Sequence, residues 1–429
     1  MVIPFLGLVV LIALESGVLG AGLPHLMILD ADGLIQTKQR LQNPDPAFAP
    51  TFTKLKADAA RALDIKPLSV IEKNLSPPSG DKHDYMSIAP YWWPNPATPN
   101  GLPFIRRDGE VNPERDRSSD RRRLGNMIQT VEILALGYFF TGREDYAAHA
   151  AELLRVWFLD PATKMNPHLR YAQAVPRQNT GRGAGIIETH ELSELIDFVS
   201  LLNGSKAWLP RDHQQWQGWN KEYLSWLVES REGQAEARAE NNHGTWYDVQ
   251  VAALAISTAR DDLAKKILSE LSAKRINLQI LPDGDQPREL ARTRAWDYAV
   301  FNLQALFDAA SIAANLNIDL WNHRTDDGRT IRRALDWLVP FTTGEKKWTY
   351  SQITRFQPEK LAPLLRRAAI AYREPAYEKA IERLPRVADE RWELLYPKKH
   401  GRPIAPPCGR QKAIKDEQSN LRCASSATP

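Results

Sequence analysis

The feature that most constrains the fold is a nearly unbroken succession of amphipathic helical patterns that begins at Ser119. Apolar residues recur there at three- and four-residue spacing, as in Leu192, Leu195, Ile196 and Val199. Short connections that contain Gly, Pro, Asn or Asp separate the patterns. No sustained period-two alternation typical of strands appears, and no regular succession of strand and helix patterns. The predicted helices span residues 120–140, 144–158, 184–203, 211–230, 245–259, 261–277, 288–315, 328–342, 358–372 and 375–384.

A further amphipathic helix is predicted over residues 45–65, which brings the total to about a dozen helices in paired succession. Such a succession favours antiparallel hairpins that curl into one toroid over two separate bundles. No exact sequence repeat is present, so this prediction rests on the number of helices. We therefore predict an all-α fold, an (α/α) toroid forming an incomplete barrel, as a single domain over residues 22–396.

The two ends of the chain differ from this helical body. Residues 2–14 are apolar and are followed by Gly17, Gly20 and Ala21, a pattern typical of a secretory signal peptide over residues 1–21. The run is too short for a good membrane span, so we expect a secreted or periplasmic protein without stable membrane insertion. Residues 397–429 are rich in Pro, Lys and Ser and are predicted to be disordered. Whether Cys408 and Cys423 pair in that tail is left open.

Composition narrows the class of partner. The formal net charge is +4, and no basic block accompanies a nucleic-acid-binding motif, so we expect no nucleic-acid partner. The slight positive excess suits an acidic substrate. Thirteen Trp residues are many for one chain. They could be core residues, or they could stack on sugar rings while the indole N–H binds hydroxyls.

The segment 240–247 (Glu-Asn-Asn-His-Gly-Thr-Trp-Tyr) concentrates polar side chains immediately before a predicted core helix. Amide and imidazole groups are costly on an apolar helix unless they have partners, whereas at the mouth of a helix they can meet a ligand. Asn241 or Asn242 could instead cap the helix. A cap does not account for His243, which becomes a catalytic candidate if another reactive group lies near it.

A second cluster lies at the predicted start of a helix, after the Asp-Gly turn at residues 283–284. Arg294 and Tyr298 stand four residues apart and should share one helix face, with Arg292 nearer the entrance. Positive charge beside a phenol favours its anion, so Tyr298 is expected to ionise more easily than usual. The alternative is that both arginines form surface pairs with Glu289 and Asp297.

Two irregular segments could line a cleft. Residues 74–118 form a long loop that contains Trp92 and Trp93 between prolines, and a long ordered loop is usually functional. Residues 178–183 form a glycine-rich loop without the Lys-Ser/Thr of a phosphate-binding loop. Arg182 in that loop could hold a substrate carboxylate through two hydrogen bonds.

Taken together, these motifs resemble the alginate-lyase-domain superfamily of polysaccharide lyases, over residues 50 to 395. The resemblance is carried by Asn-Asn-His-Gly at 241–244, Glu-Leu-Ala-Arg at 289–292 and Tyr298. It is also carried by Lys-His-Asp-Tyr-Met-Ser at 82–87, Tyr-Trp-Trp-Pro at 91–94 and Gly-Ile-Ile-Glu at 185–188. The resemblance implies an (α/α) toroid and β-elimination of a uronic-acid polymer. We expect that polymer to be alginate, and we expect no cofactor or metal to be required.

The resemblance also implies roles for individual residues. The catalytic residues would be His243, Tyr298, Asn242 and Arg292. The substrate-binding residues would be Tyr85, Trp92, Trp93, Arg182, Asn241, Trp246 and Arg294. The spacing between Arg292 and Tyr298 is one residue shorter than expected, which leaves open whether Arg292 or Arg294 neutralises the substrate carboxylate.

Three rival functions remain at this point. A glucuronan lyase would catalyse the same reaction on another 1,4-linked uronate. A glycoside hydrolase on an (α/α) barrel would need two carboxylates facing each other across the bond, for which Asp84, Glu188 and Asp248 are candidates. A non-catalytic polysaccharide-binding protein would keep the aromatic residues but would have no use for Tyr298 beside His243.

Overall fold

The computed structural model of the chain describes residues 26–43, 45–117, 120–386 and 390–398. Those residues are largely helical, as the spacing of the apolar residues predicts. The α-helices are α1 (Ala31–Arg40), α2 (Ala49–Ala62), α3 (Asp120–Thr141), α4 (Glu144–Leu154), α5 (Leu192–Ser200), α6 (Pro210–Glu229), α7 (Arg231–Ala237), α8 (Asn242–Ser257), α9 (Asp261–Leu271), α10 (Asn277–Gln279), α11 (Pro287–Leu290), α12 (Ala295–Asn315), α13 (Ile331–Thr342), α14 (Ala362–Tyr372), α15 (Pro375–Glu382) and α16 (Trp392–Leu395).

Four very short strands form two separate two-stranded sheets within the described residues. Strands β1 (Met86–Ile88) and β4 (Tyr171–Ala174) pair in parallel, and β2 (Trp92–Trp93) and β3 (Ile105–Arg106) pair antiparallel. The irregular segment 74–118 therefore contains three of the four strands. These strands fix the loop against the helices without forming a sheet layer.

Helix α8 lies at the centre of the packing. It contacts α5, α6, α7, α9 and α12, and its residues from Gly244 to Ala255 are buried on every face. A helix that is apolar all round is stable only when other helices surround it. Because α8 is enclosed along its length, the polar residues at its first turn are accessible from one end only.

Successive helices form antiparallel hairpins. Helices α3 and α4 pack together and are joined by only two residues, Gly142 and Arg143, with Gly142 at φ +70°. Helices α8 and α9 and helices α14 and α15 form similar pairs. Short connections between helices in contact require this antiparallel arrangement.

The predicted single helix over 184–203 is wrong, because the chain forms a 3₁₀-helix at Gly183–Thr189 before α5. Close backbone approach explains the irregularity. A Cβ atom at Gly185 would lie 2.4 Å from the Ala172 Cβ, and one at Gly183 would lie 2.6 Å from the Glu232 oxygen. The glycines allow this segment to pack directly on β4 and α7.

The predicted helix over 288–315 is also interrupted, between α11 and α12. The Ala295 N–H donates to the Ser351 oxygen (3.0 Å), and the Ile353 N–H donates to the Thr293 oxygen (2.9 Å). These bonds to a distant segment, together with the bridge between Arg294 and Gln352, hold residues 291–294 in a turn that interrupts the helix. As a result, Arg292 and Arg294 do not lie on the helix face that their spacing predicts.

Among the residues that the structure describes, no helix is both long and apolar enough to cross a membrane. The predicted signal peptide at residues 1–21 lies outside the described residues. The same is true of residues 399–429, which include Cys408 and Cys423.

Candidate active site

A cleft of about 590 Å³ opens at the first turn of α8. The side chains that line it come from both predicted motifs: Asn241, Asn242 and His243 at the start of α8, Arg292 in the turn before α12, and Tyr298 in the first turn of α12. Six arginines line the cleft, against three carboxylate side chains. The arginines are Arg106, Arg115, Arg121, Arg122, Arg182 and Arg292, and the carboxylates are Asp116, Glu188 and Glu191. This excess of positive charge suits an anionic ligand.

His243 is held by a carboxylate. Its Nδ1 lies 2.6 Å from the Glu236 Oε1 on α7, and the Glu236 side chain is only 4% exposed. A carboxylate at Nδ1 favours the tautomer with its proton on Nδ1, which leaves a lone pair on Nε2. A partly exposed imidazole in this state can accept a proton from a ligand in the cleft.

The two asparagines have different roles in the structure. Asn241 is the N-cap of α8, and its side chain accepts the His243 N–H (3.3 Å), as the capping alternative predicts. Asn242 is buried, and both its backbone N–H and its Nδ2 donate to the Glu289 carboxylate at 2.7 Å. The primary amide has a second N–H that these bonds do not use.

Glu289 is almost fully buried, and burial raises the pKa of its carboxyl above the usual value, against the two bonds from Asn242. The Glu289 side chain orients the Asn242 amide at the cleft wall. Glu289 is thus a buried partner of Asn242, and it does not form the surface pair with an arginine that the alternative interpretation offered.

Tyr298 meets a second phenol. Its hydroxyl lies 2.7 Å from the Tyr91 hydroxyl, and the Arg292 guanidinium lies 3.7 Å from the centre of its ring. Burial and the neighbouring Tyr91 raise the pKa of Tyr298 well above the usual value, although Arg292 acts in the opposite direction. The prediction that Tyr298 ionises easily is therefore wrong, because sequence shows the nearby arginine but not the burial. Tyr298 is a protonated phenol at neutral pH and can donate a proton.

Arg292 forms a two-pronged ion pair with Asp108, a residue of the irregular segment 74–118. Its Nε donates to both Asp108 oxygens at 3.0 Å, and its Nη2 lies 2.7 Å from Oδ1. The Thr293 N–H also donates to Asp108 (3.0 Å). Burial opposes ionisation of Asp108, but the bonds from Arg292 and Thr293 lower its pKa to about 2. Asp108 thus joins the irregular segment to the cleft.

Arg294 does not line the cleft. It pairs with Asp297 at 3.0 Å, as the surface-pair alternative predicts for this residue. Asp297 also binds Lys360 and Gln352. The structure places Arg292, and not Arg294, beside Tyr298.

Two of the predicted substrate-binding aromatic residues are in the core. Tyr85 is 0% exposed and donates to the Glu188 carboxylate (2.8 Å), and Trp246 is 2% exposed and packs against His190 and Phe301. Neither side chain can contact a ligand in this structure, so the prediction for these two residues is wrong. The reason is that a residue close to a motif in sequence can point to the opposite side of its element.

Trp92 and Trp93 are half-buried and are not among the side chains that line the cleft. The Trp92 ring lies 5.9 Å from the Arg182 guanidinium, and the Trp93 Nε1 donates to the Glu110 oxygen (3.1 Å). Trp92 therefore contacts the cleft through Arg182, which does line it.

The carboxylates considered for a hydrolase are not paired across the cleft. Asp84 binds Asn166, Ser79 and His168, and Asp248 forms a buried ion pair with Arg275. Of the three candidates, only Glu188 lines the cleft. Within the described ranges, no group of three or more His, Cys, Asp or Glu residues could hold a metal ion.

Sequence reasoning did not identify several residues that shape the site: Glu236, Glu289, Tyr91, Asp108 and Gln173. Tyr91 and Glu289 lie in motifs that carry the family resemblance, but the sequence predicts no role in the cleft for Tyr91 and only a surface pair for Glu289. Glu236 lies seven residues before His243, on another helix, and Asp108 lies 184 residues from Arg292. No local sequence pattern relates residues that meet only through packing.

The comparisons with known proteins fit this geometry. A family model described as alginate lyase matches residues 69–348. An alginate lyase from Bacteroides ovatus is 42% identical, with a TM-score of 0.84 over 88% of this chain and 100% of the other. No match was found among curated protein sequences.

More distant structures share the fold. Alginate lyase A1-III from a Sphingomonas species is 14% identical, with a TM-score of 0.55 over 87% of this chain and 98% of the other. A variant of A1-III in complex with a tetrasaccharide is 16% identical, with a TM-score of 0.57 over 86% and 95% of the two chains. The predicted all-α (α/α) toroid is thereby confirmed.

Proposed function

The chain belongs to the alginate lyase family, and we propose that it cleaves alginate by β-elimination in the cleft that His243 and Tyr298 share. It is a polysaccharide lyase. One observation carries the proposed mechanism: a histidine with a free Nε2 and a protonated phenol line the same arginine-rich cleft. A base and an acid are the two groups that an elimination requires.

The reaction assigns one proton to each group. In β-elimination the base removes the C5 proton beside the uronate carboxylate, a C4=C5 double bond forms, and the C4–O4 bond breaks. The leaving O4 must receive a proton, which the Tyr298 phenol supplies. The His243 Nε2 accepts the C5 proton when that proton lies on the face opposite O4. Where both lie on one face, the His243 Nε2 would first accept the phenol proton, and the Tyr298 phenolate would then take the C5 proton and pass it to O4.

The substrate carboxylate gains negative charge during proton abstraction. Hydrogen-bond donors fixed in a water-poor cleft stabilise such charge well, because they need no reorganisation during the reaction. The remaining Asn242 N–H suits this role, since Glu289 fixes the amide. Arg292 contributes its charge beside Tyr298, although Asp108 already offsets much of that charge.

The proposed reaction is tested by the absorbance of the unsaturated uronate it produces. Purified protein with a chelator is incubated with polymannuronate, polyguluronate or glucuronan in separate tubes. We expect ultraviolet absorbance to grow with at least one of the two alginate blocks. An increase in absorbance with glucuronan alone would change the assigned polymer. No increase in absorbance in any of the three tubes would refute the proposed activity.

We also propose that the protein is exported, on the basis of the apolar segment at residues 2–14. The same absorbance assay, applied to culture medium, periplasm and cytoplasm of cells that make the full chain, is expected to find the activity outside the cytoplasm. Activity confined to the cytoplasm, with an uncleaved N-terminus by mass spectrometry, would contradict export.

A further inference from the structure

Arg182 differs from most other arginines of the cleft in what it binds. Its Nε donates to the Gln173 backbone oxygen (3.2 Å), and its Nη2 donates to the Gln173 Oε1 (2.7 Å). Both acceptors are uncharged. Among the described residues, no carboxylate lies within ion-pairing distance of Arg182.

The neighbouring arginines show the contrast. Arg292 and Arg106 both pair with Asp108, and Arg121 lies 3.5 Å from Glu188. Burial of Arg182 and the nearby Arg106 lower the pKa of its guanidinium, which Glu236 and Glu188 oppose only from a distance. A half-buried guanidinium without a counter-ion is unfavourable unless a ligand supplies the missing charge.

Gln173 is held in an unusual conformation at this point. It is a non-glycine residue at φ +50°, in the left-handed region, and it is 6% exposed. Its N–H donates to the Ser87 hydroxyl (2.7 Å), and that hydroxyl donates to the buried Glu188 carboxylate (2.5 Å). Gln173 is therefore tied to Glu188 through Ser87, while its own oxygens accept from Arg182. Backbone strain of this kind persists only where the surroundings impose it, and it concentrates at functional sites.

The orientation of Arg182 leaves donors free. A guanidinium has five N–H bonds, of which two are used on Gln173. The remaining three include the adjacent pair on Nη1 and Nη2, which matches the two oxygens of a carboxylate. A second uronate bound beside the reacting one would present such a carboxylate, because every unit of the polymer carries one.

We propose that Gln173 is a positioning residue that keeps Arg182 charged and uncompensated, so that Arg182 binds the carboxylate of a uronate next to the one that loses its C5 proton. This inference rests on the proposed lyase function. A carboxylate at position 173 would pair with Arg182, as Asp108 does with Arg292. That ion pair would neutralise the guanidinium that is proposed to bind the substrate carboxylate. The neutral amide fixes the same geometry and leaves the charge for the substrate.

The test is the Gln173→Glu variant, which has nearly the same size and adds one negative charge. The variant would weaken the charged hydrogen bonds between Arg182 and the substrate carboxylate, so we expect KM for alginate to rise about 10- to 100-fold. Because Arg182 holds a non-reacting unit, kcat should change by less than about threefold. The decline of kcat/KM with added salt should also become shallower, because one attraction to the substrate has gone.

Gln178→Glu is the matched control, since it adds the same charge at an exposed position of the glycine-rich loop that carries Arg182, where the Gln178 side chain donates to the Phe104 oxygen (3.0 Å). It should leave KM within about twofold, as expected of an exposed charge. Arg182→Gln should reproduce the rise in KM, and adding Gln173→Glu to it should have little further effect. An unchanged KM in folded Gln173→Glu or Arg182→Gln would overturn the proposal, as would a loss confined to kcat. An inactive wild-type protein would refute the lyase function itself.

Discussion

Tyr298→Phe is expected to lower kcat on alginate by about 10²–10⁴-fold, the range that a general acid contributes. The variant removes one oxygen, and with it the proton that the leaving O4 needs. Burial holds the Tyr298 phenol protonated, so no ionisation has to be reversed before the proton is donated. Initial rates of ultraviolet absorbance, measured at saturating substrate, give the change in kcat.

Binding should persist in Tyr298→Phe, because the ring still packs under Arg292. Calorimetric titration with a short oligouronate should therefore give a Kd within about threefold of the wild type, a difference of less than 1 kcal/mol. Tyr91→Phe is the matched comparison, since it removes the partner phenol at 2.7 Å but leaves the proposed acid. If Tyr91→Phe lost as much kcat as Tyr298→Phe, the proton donor would have to be reassigned.

Glu236→Gln is expected to lower turnover nearly as much as His243→Ala, by about 10²–10⁴-fold, on substrate whose C5 proton faces His243. Glu236 accepts at the His243 Nδ1, at 2.6 Å. An amide in its place can donate to Nδ1, which drives the ring proton to Nε2 and removes the lone pair that accepts the C5 proton. The imidazole would remain in position with the wrong tautomer.

Glu232→Gln is the control for loss of charge, because Glu232 lies in the first turn of the same helix α7, whereas the carboxylate at the His243 Nδ1 is that of Glu236. We expect its turnover to stay within about twofold, as for most surface charges. Two-dimensional NMR of the imidazole nitrogens would report the tautomer directly. A Glu236→Gln protein that retains full activity on both alginate blocks would exclude His243 as the base.

The fold could be predicted from sequence because helix periodicity is a local property. Apolar spacing located α3 and α8 to within a few residues, and it located the end of α12 but not its start. The same method failed at residues 183–189 and 291–294, where glycine packing and bonds to Ser351 and Ile353 override helical spacing. Tertiary contacts of this kind leave no periodic signal.

The position of the cleft residues was also predictable in part, because His243 and Tyr298 each lie in a short polar segment beside a helix start. The states of those residues were not. Burial and Tyr91 determine the protonation of Tyr298, and Glu236 determines the tautomer of His243. Both partners come from other elements, so only the packed structure brings them together. Trp246 was predicted to bind substrate because it lies close to His243 in sequence. The structure buries it, and sequence position alone does not show that burial.

The bond between Asp108 and Arg292 has a consequence for how such enzymes diversify. Long surface loops usually vary in sequence and length between relatives, since few of their side chains make specific contacts with the rest of the protein. Here the loop supplies the counter-ion of an arginine that lies against Tyr298, and Thr293 fixes the same carboxylate. A chimera that replaced this loop without an acid at position 108 would leave a charged guanidinium stacked on the proposed acid. We therefore expect that exchanging this loop would alter the environment of Tyr298 as well as the contacts that the loop offers to a polymer.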